Sequence, residues 1–188
     1  MFSFVVKIGD KEKLVCICLV KDCLKLTYYL ENIRELEENM NTTLIIVRKE
    51  LAPFRRFLRI ACTNAINKFF SKQGIAKKLS IEILLNIAGT RQIKEAIRRV
   101  VPADESEALT IAILSRSENP LEILERLKGM LECGEICYRI QADQFILERI
   151  AEIYNISREE IECTYAGDFL EALEKCLILR TAMLYLIK

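Results

Sequence analysis

The sequence predicts an α/β (α+β) protein with a mixed sheet from N- and C-terminal strands and a basic helical segment at its centre. Three observations carry this reading. Two β-branched runs of strand length, Leu14–Val20 and Thr43–Val47, flank an acidic amphipathic stretch. A third apolar run, Leu109–Leu114, follows Pro102 after roughly fifty residues of helical periodicity. The closing MLYLIK is apolar on every side, which suits a last strand. With 188 residues, 52% of them hydrophobic, the chain can bury a core and reads as one domain over residues 1–188.

Each element has its own signal. MFSFVVKIGDKEK has no long apolar stretch of the kind a signal peptide needs, so it reads as a strand and a turn. After LVCICLV, the stretch Leu24–Met40 places Leu26, Tyr29, Leu30, Ile33 and Leu36 at helical spacing. Strand, helix and strand suggest a βαβ unit. From Pro53, Phe54, Phe57, Leu58, Ala61, Ala65, Ile66 and Phe69 form one stripe, with Arg55, Arg56, Arg59 and Lys68 on the other faces. The helix after Ser80 buries Ile83, Leu84, Ile87 and Ala88, and Gly89 stands where a left-handed residue would close it. Thr90 caps the next helix, with Ile93, Ala96 and Ile97 facing inward. Helices are expected at Pro120–Lys128 and Asp143–Tyr154, and another opens with the capping box Ser157-Arg158-Glu159-Glu160. Asp168 caps the last, through Leu170, Leu173, Leu177 and Arg180.

Composition removes whole classes of chemistry. There is no histidine, and with it go the commonest general base and metal ligand. No apolar run reaches the roughly 18 residues of a membrane span. The eight cysteines sit mostly among Ile, Leu and Val, with Cys16 and Cys18 on one face of a strand. Cys133-x3-Cys137 lacks zinc-knuckle spacing. A metal or redox role is therefore set aside for small buried hydrophobes in a reducing cytoplasm, with neither zinc nor a disulfide. The sequon Asn155-Ile156-Ser157 is idle there. An enzyme would have to be built on Cys62 or on Asp104, Glu105 and Glu107, but no base is spaced to activate Cys62 and no phosphate-cradling loop exists. No catalytic residue and no cofactor is expected.

The net charge of +1 conceals a strong asymmetry. Residues 53–101 carry eleven Lys and Arg against Glu82 and Glu95, a net of +9, while residues 102–188 carry nine bases against seventeen acids, a net of −8. Concentrated positive charge attracts polyanions. Within it, Gly89-Thr90-Arg91-Gln92 separates two helices. A helix starting at Thr90 offers free N–H groups and a positive dipole end. Arg91 supplies a phosphate-matching fork that can also stack on a base, and Gln92 a donor and an acceptor. Gly89 lets a backbone approach closely. Together these suit single-stranded nucleic acid more than a duplex groove. The same residues also fit an ordinary helix corner with a capping threonine, and the charge tips the choice to RNA.

The stretch IAKKLSIEILLNIAGTRQIKEAIRRV closely resembles the central motif of the TPRKB-like family, the small PRPK-binding subunit of the KEOPS complex in archaea and eukaryotes. The archaeal form has an aliphatic EIL helix followed by Gly-x-Arg-Gln-Ile-x-Glu-Ala-Ile, here Gly89 to Ile97. VCICLVKDC resembles the family's first strand and Lys-Asp turn, and TLIIVRKELAPFRRFLRIACTNAINKF its second strand and long helix. LTIAIL, YNISREEI and the Leu-rich end follow in the expected order. The chain departs from the pattern at Thr90 and in its extra residues before Leu14.

The resemblance implies a non-enzymatic cytoplasmic subunit of the machinery that makes threonylcarbamoyladenosine at position 37 of tRNA. Its implied partners are a PRPK-like kinase/ATPase subunit, bound at the N-lobe, and the single-stranded CCA 3′ end of tRNA. A kinase-binding scaffold without RNA binding is the alternative. The expected RNA-binding residues are Gly89, Thr90, Arg91 and Gln92, flanked by Lys77, Lys78, Lys94 and Arg98. The expected kinase interface lies in Phe169–Ile187, on Leu170, Leu173 and Leu177, because the segment carries more apolar residues than one packed stripe needs. The same residues would otherwise complete the core.

Overall fold

Gly9 and Asp10 turn the N-terminal residues back on themselves. Gly9 takes φ +57° at the first central position of a two-residue hairpin loop, where only a positive φ matches the twist of the strands. The hairpin joins β1 (Phe2–Ile8) to β2 (Lys11–Cys23) in antiparallel register from Phe2↔Ile17 to Ile8↔Lys11. Next come α1 (Leu26–Glu31), α2 (Ile33–Met40), β3 (Thr43–Val47) and a 3-10 turn, Lys49–Leu51. The helices α3 (Arg55–Phe70), α4 (Leu79–Ala88) and α5 (Ile93–Val100) follow, then β4 (Ala108–Ser115), α6 (Pro120–Leu131) and β5 (Cys133–Cys137). The described chain ends with α7 (Gln144–Tyr154), α8 (Arg158–Glu162) and α9 (Phe169–Met183). This is a computed structural model, and it describes residues 2–40, 42–102, 107–115, 117–137 and 142–186, the side chains of Thr27, Leu30, Glu31, Ile33, Leu36, Ile136 and Cys137 excepted. Asp104, Glu105 and Ile187 and the side chains of Leu30, Ile33, Leu36 and Cys137, all named above, lie outside it.

The chain forms two compact units, Met1–Lys49 with Val101–Arg139 and Glu50–Val100 with Ile140–Lys188. The first holds the sheet, in the order β1-β2-β4-β3 with β5 also on β2, antiparallel throughout. Since β2 and β3 are each antiparallel to β4, they point the same way, and the expected βαβ unit exists with a strand inserted at its middle. The path β5-β2-β4-β3 is the split βαββαβ arrangement. β1 and β5 share one edge of β2, along Lys11–Ile17 and Leu19–Cys23. Cys16, Cys18 and Val20 of β2, Leu44 and Ile46 of β3, and Ala112 and Leu114 of β4 form a core with Leu26, Tyr29, Met40 and Leu127. At about 1.5–3 kcal/mol for each large side chain buried, that packing holds α1, whose six residues are too few to be helical alone.

Several expectations are corrected. The α+β class stands, but among the described residues the sheet has no parallel pair, and those at the C-terminus lie outside it: α9 continues through Met183 and Leu184–Leu186 form a turn. Helical periodicity from Leu170 onward carries α9 as far as Met183, the first residue of MLYLIK. The expected Leu24–Met40 helix breaks at Asn32, whose backbone N–H and side-chain Nδ2 both donate to the Tyr28 carbonyl, at 3.1 and 2.9 Å. Two cysteines are bonded: Cys23 and Cys133, opposite one another where β2 pairs with β5, form a disulfide across 110 residues of sequence. The expectation of eight unpaired thiols missed it because strand register, not spacing, brings them together. Cys16, Cys18, Cys62 and Cys176 are buried as expected, whereas Cys163 is exposed. Among the described residues no group of three or more acidic or cysteine side chains could hold a metal, and no helix is long and apolar enough to cross a membrane.

The second unit is helical. Phe57, Leu58, Ala61, Cys62, Ala65 and Ile66 form the buried side of α3, which packs against α4 and α9. Phe54, at the N-cap of α3, has no acceptor to offer, and the carboxylate of Glu174 on α9 takes that role. It accepts from the amides of Arg56 and Phe57 at 2.8 and 3.1 Å. The N-caps read from sequence at Ser157 and Asp168 are in place, accepting from the amides of Glu160 and Glu171, and Asp143 caps α7 by accepting from Ile146.

Candidate functional site

The corner between α4 and α5 is built from the end of α4. Residues Glu82 to Ala88 are all buried, so this helix is held on every side. Gly89 closes it at φ +63°, and a Cβ there would lie 3.1 Å from the Cβ of Arg180, so both conformation and space require glycine. The Gly89 amide donates to the Asn86 carbonyl and the Thr90 amide to that of Leu85, each at 3.3 Å, the paired bonds of a Schellman ending. Side chains from three other helices reach the remaining carbonyls. Thr181 Oγ1 of α9 donates to Asn86 at 2.8 Å, Tyr154 Oη of α7 to Ile87 at 2.8 Å, and Arg99 Nη1 of α5 to Ala88 at 2.7 Å. All four carbonyls that a helix leaves open are therefore satisfied.

The corner itself differs in detail from the expectation. Thr90 Oγ1 accepts from the Gln92 amide at 3.3 Å, and the Gln92 carbonyl accepts from Ala96 at 2.9 Å, so α5 begins at Ile93 and not at Thr90. The Thr90 amide is committed to the end of α4, and three residues are spent on the turn. Ala96 and Val100 carry the packing of α5, while Ile93 and Ile97, expected inside, are each 48% exposed. Arg91, Gln92, Lys94 and Arg98 are also exposed. One face of α5 thus alternates cationic and aliphatic groups. Glu95 accepts two bonds from Arg98 Nη2, at 2.9 and 3.1 Å, and one from Arg99 at 3.0 Å. The Arg98 bonds and charge hold its carboxyl below the usual carboxylate range.

Lys77 and Lys78 are exposed at the other end of α4, about 15 Å away along a helix of ten residues. They are not gathered at the corner. Glu82 fixes their loop: one carboxylate oxygen accepts from the amides of Ile75 and Ala76 at 2.7 and 2.6 Å, the other from Tyr185 Oη at 2.6 Å. Burial, then the Glu82 bond, push the Tyr185 hydroxyl pKa up and keep it a donor. Sequence reasoning missed Glu82, Tyr154, Tyr185 and Thr181. A buried acid inside a basic segment is the one signal that could have drawn attention to Glu82. Of the eleven basic residues in 53–101, nine are exposed, so the concentrated charge does face solvent. Cys62 is fully buried, its thiol pushed up to about 12 by burial, and offers no nucleophile. Glu107 pairs with Lys49 at 3.1 Å.

Two of the three residues expected at the kinase face, Leu173 and Leu177, lie in the core of the helical unit. Leu173 and Leu177 have no exposed surface, because α9 packs against α3, α4, α7 and α8 at once, and Leu170 is half-buried. The outward stripe of the same segment is Leu179, Ala182, Met183 and Leu186, at i, i+3, i+4 and i+7. Leu179 is 53% and Leu186 78% exposed.

Fold and corner together define a split-βαβ sheet protein carrying a helical unit with one polar, cationic helix junction. The chain belongs to the CGI-121 family of kinase binding proteins, whose model matches residues 9–183. Comparison with curated proteins finds no match.

Proposed function

We propose that the chain is the non-catalytic accessory subunit of a KEOPS complex, binding the kinase/ATPase subunit and capturing the single-stranded CCA 3′ end of substrate tRNA in the cytoplasm. The observation that supports RNA capture is the face of α5, where Arg91, Gln92, Lys94 and Arg98 stand around half-exposed Ile93 and Ile97. Guanidinium and ammonium groups suit phosphates, and aliphatic side chains and the Arg91 plane suit unstacked bases. The major groove of duplex RNA is too deep and narrow for side chains to read, so an accessible single-stranded end suits this face better. Kinase binding rests on the family, and the apolar stripe Leu179–Leu186 is the surface we assign to it, in place of Leu173 and Leu177.

Titration of labelled tRNA, with and without its CCA end, tests the reading. If about four phosphates are neutralised, log K falls against log salt with a slope of roughly −3. Arg91→Glu is expected to abolish binding with the circular dichroism spectrum unchanged. Equal affinity for tRNA lacking CCA, or for the Arg91→Glu protein, leaves the second reading, a kinase scaffold without RNA, which the family and the apolar stripe support without the cationic face.

A further inference from the structure

Arg98 and Arg99 are adjacent in sequence and opposite in placement. Arg98 lies on the outer face of α5, its side chain 75% exposed, while that of Arg99 is only 13% exposed. The Arg99 guanidinium reaches back across the corner to the Ala88 carbonyl, binds Glu95 through its second nitrogen, and lies 5.4 Å over the Tyr154 ring. Tyr154 in turn donates to the next carbonyl back, Ile87, at 2.8 Å. The two arms of the corner, Ala88 before it and Arg99 after it, are thereby tied to each other and to α7. Gly89 to Gln92 are the four residues those ties enclose at the α4 end.

Building on the proposed RNA reading, we infer that Arg99 and Tyr154 are positioning residues for that site: they hold Arg91 and Gln92 in binding geometry and touch no RNA themselves. A planar fork over an aromatic face fixes direction as well as distance, which lysine cannot do. Where chemistry depends on the angle of one guanidinium and one amide, the supporting contacts decide how much affinity those groups deliver. Arg99 therefore counts toward the +9 segment without contributing to its surface field, and its substitution has a signature of its own.

The experiment compares Arg98→Gln with Arg99→Gln, which remove the same charge one residue apart, by tRNA titration across a salt series at a temperature where both are folded by circular dichroism. Removing a phosphate contact lowers the salt slope by about 0.7 for a single strand. Arg98→Gln is expected to lower the slope by that amount. Arg99→Gln is expected to weaken binding at least tenfold with the wild-type slope retained, and Arg99→Lys to restore little of it. Wild-type affinity in Arg99→Gln overturns the inference, as does a slope that falls as in Arg98→Gln. If Arg99→Gln fails to fold, Tyr154→Phe replaces it, keeping the ring and losing only the bond to Ile87. Weaker binding at unchanged slope then supports the clamp, and unchanged binding overturns it. Wild-type protein that binds no tRNA defeats the RNA reading and the clamp with it, whereas a defect in Arg91→Glu without one in Arg99→Gln defeats the clamp alone.

Discussion

Cys18 and Cys62 carry thiols that burial pushes up to about 12, against an ordinary value of 9.0. A thiol whose pKa is raised by folding stabilises the native state fully below pH 9, and that contribution is lost as pH rises through 9 toward 12. The slope is about 1.4 kcal/mol per pH unit for each thiol. Urea melts of wild type and the Cys18→Ala, Cys62→Ala double variant are expected to differ in slope between pH 9 and 11, with the variant shallower. Parallel curves would refute it. The same burial leaves Cys163 open to iodoacetamide at pH 8, with Cys16, Cys18 and Cys62 labelled only after unfolding. Glycine 89 was legible from sequence, because one left-handed residue after an apolar run has few other uses. The partners of α4's last carbonyls were not. Tyr154 lies 67 residues from Ile87 and Thr181 lies 95 from Asn86, and nothing local marks either.

Helix α9 is the element on which sequence reasoning was most strained, since it carries leucine both on the stripe Leu170, Leu173 and Leu177 and, opposite it, at Leu179. Periodicity identifies a helix and Asp168 identifies its start, but which stripe faces inward is decided by four neighbouring helices. The outcome is two faces with different consequences. Met183→Glu and Leu179→Glu lie on the open side and are expected to leave the melting curve within about 0.5 kcal/mol of wild type while abolishing capture of the kinase. Leu173→Glu buries an unpaired charge and is expected to prevent folding outright. Retained kinase capture by both surface variants would move the docking face elsewhere, with the acidic stretch Leu24–Met40 the next to probe. The strands were legible as β-branched runs and the caps as Asp and Ser before apolar stretches. The inward side of α5 was not, because Arg99 occupies a position that periodicity gives to an apolar residue, and Ile93 and Ile97 are left half in water.

At the scale of the molecule, the disulfide joins the two separate stretches of sequence that make up the first unit. Bonding Cys23 to Cys133 closes a span of 110 residues, which chain-entropy arguments value at roughly 4–5 kcal/mol and measured bridges at about 2–4. Cys23→Ser, or reduction of the wild type, is expected to lower the unfolding free energy by about 2–4 kcal/mol, read from urea melts with and without dithiothreitol. Identical melts would mean the bond adds nothing to stability.

The same discontinuity has a consequence for biosynthesis. β4 lies between β2 and β3 in the sheet, yet the whole of Glu50–Val100 is translated after β3 and before β4. At about 5–20 residues per second, the ribosome takes on the order of 3–12 s to travel from Val47 to Ala108. During that interval β2 and β3 exist without the strand that separates them, their inner edges open to any passing strand. The sheet is thus finished by insertion into a waiting gap, and a nascent chain stalled before residue 115 would present two adhesive edges at once.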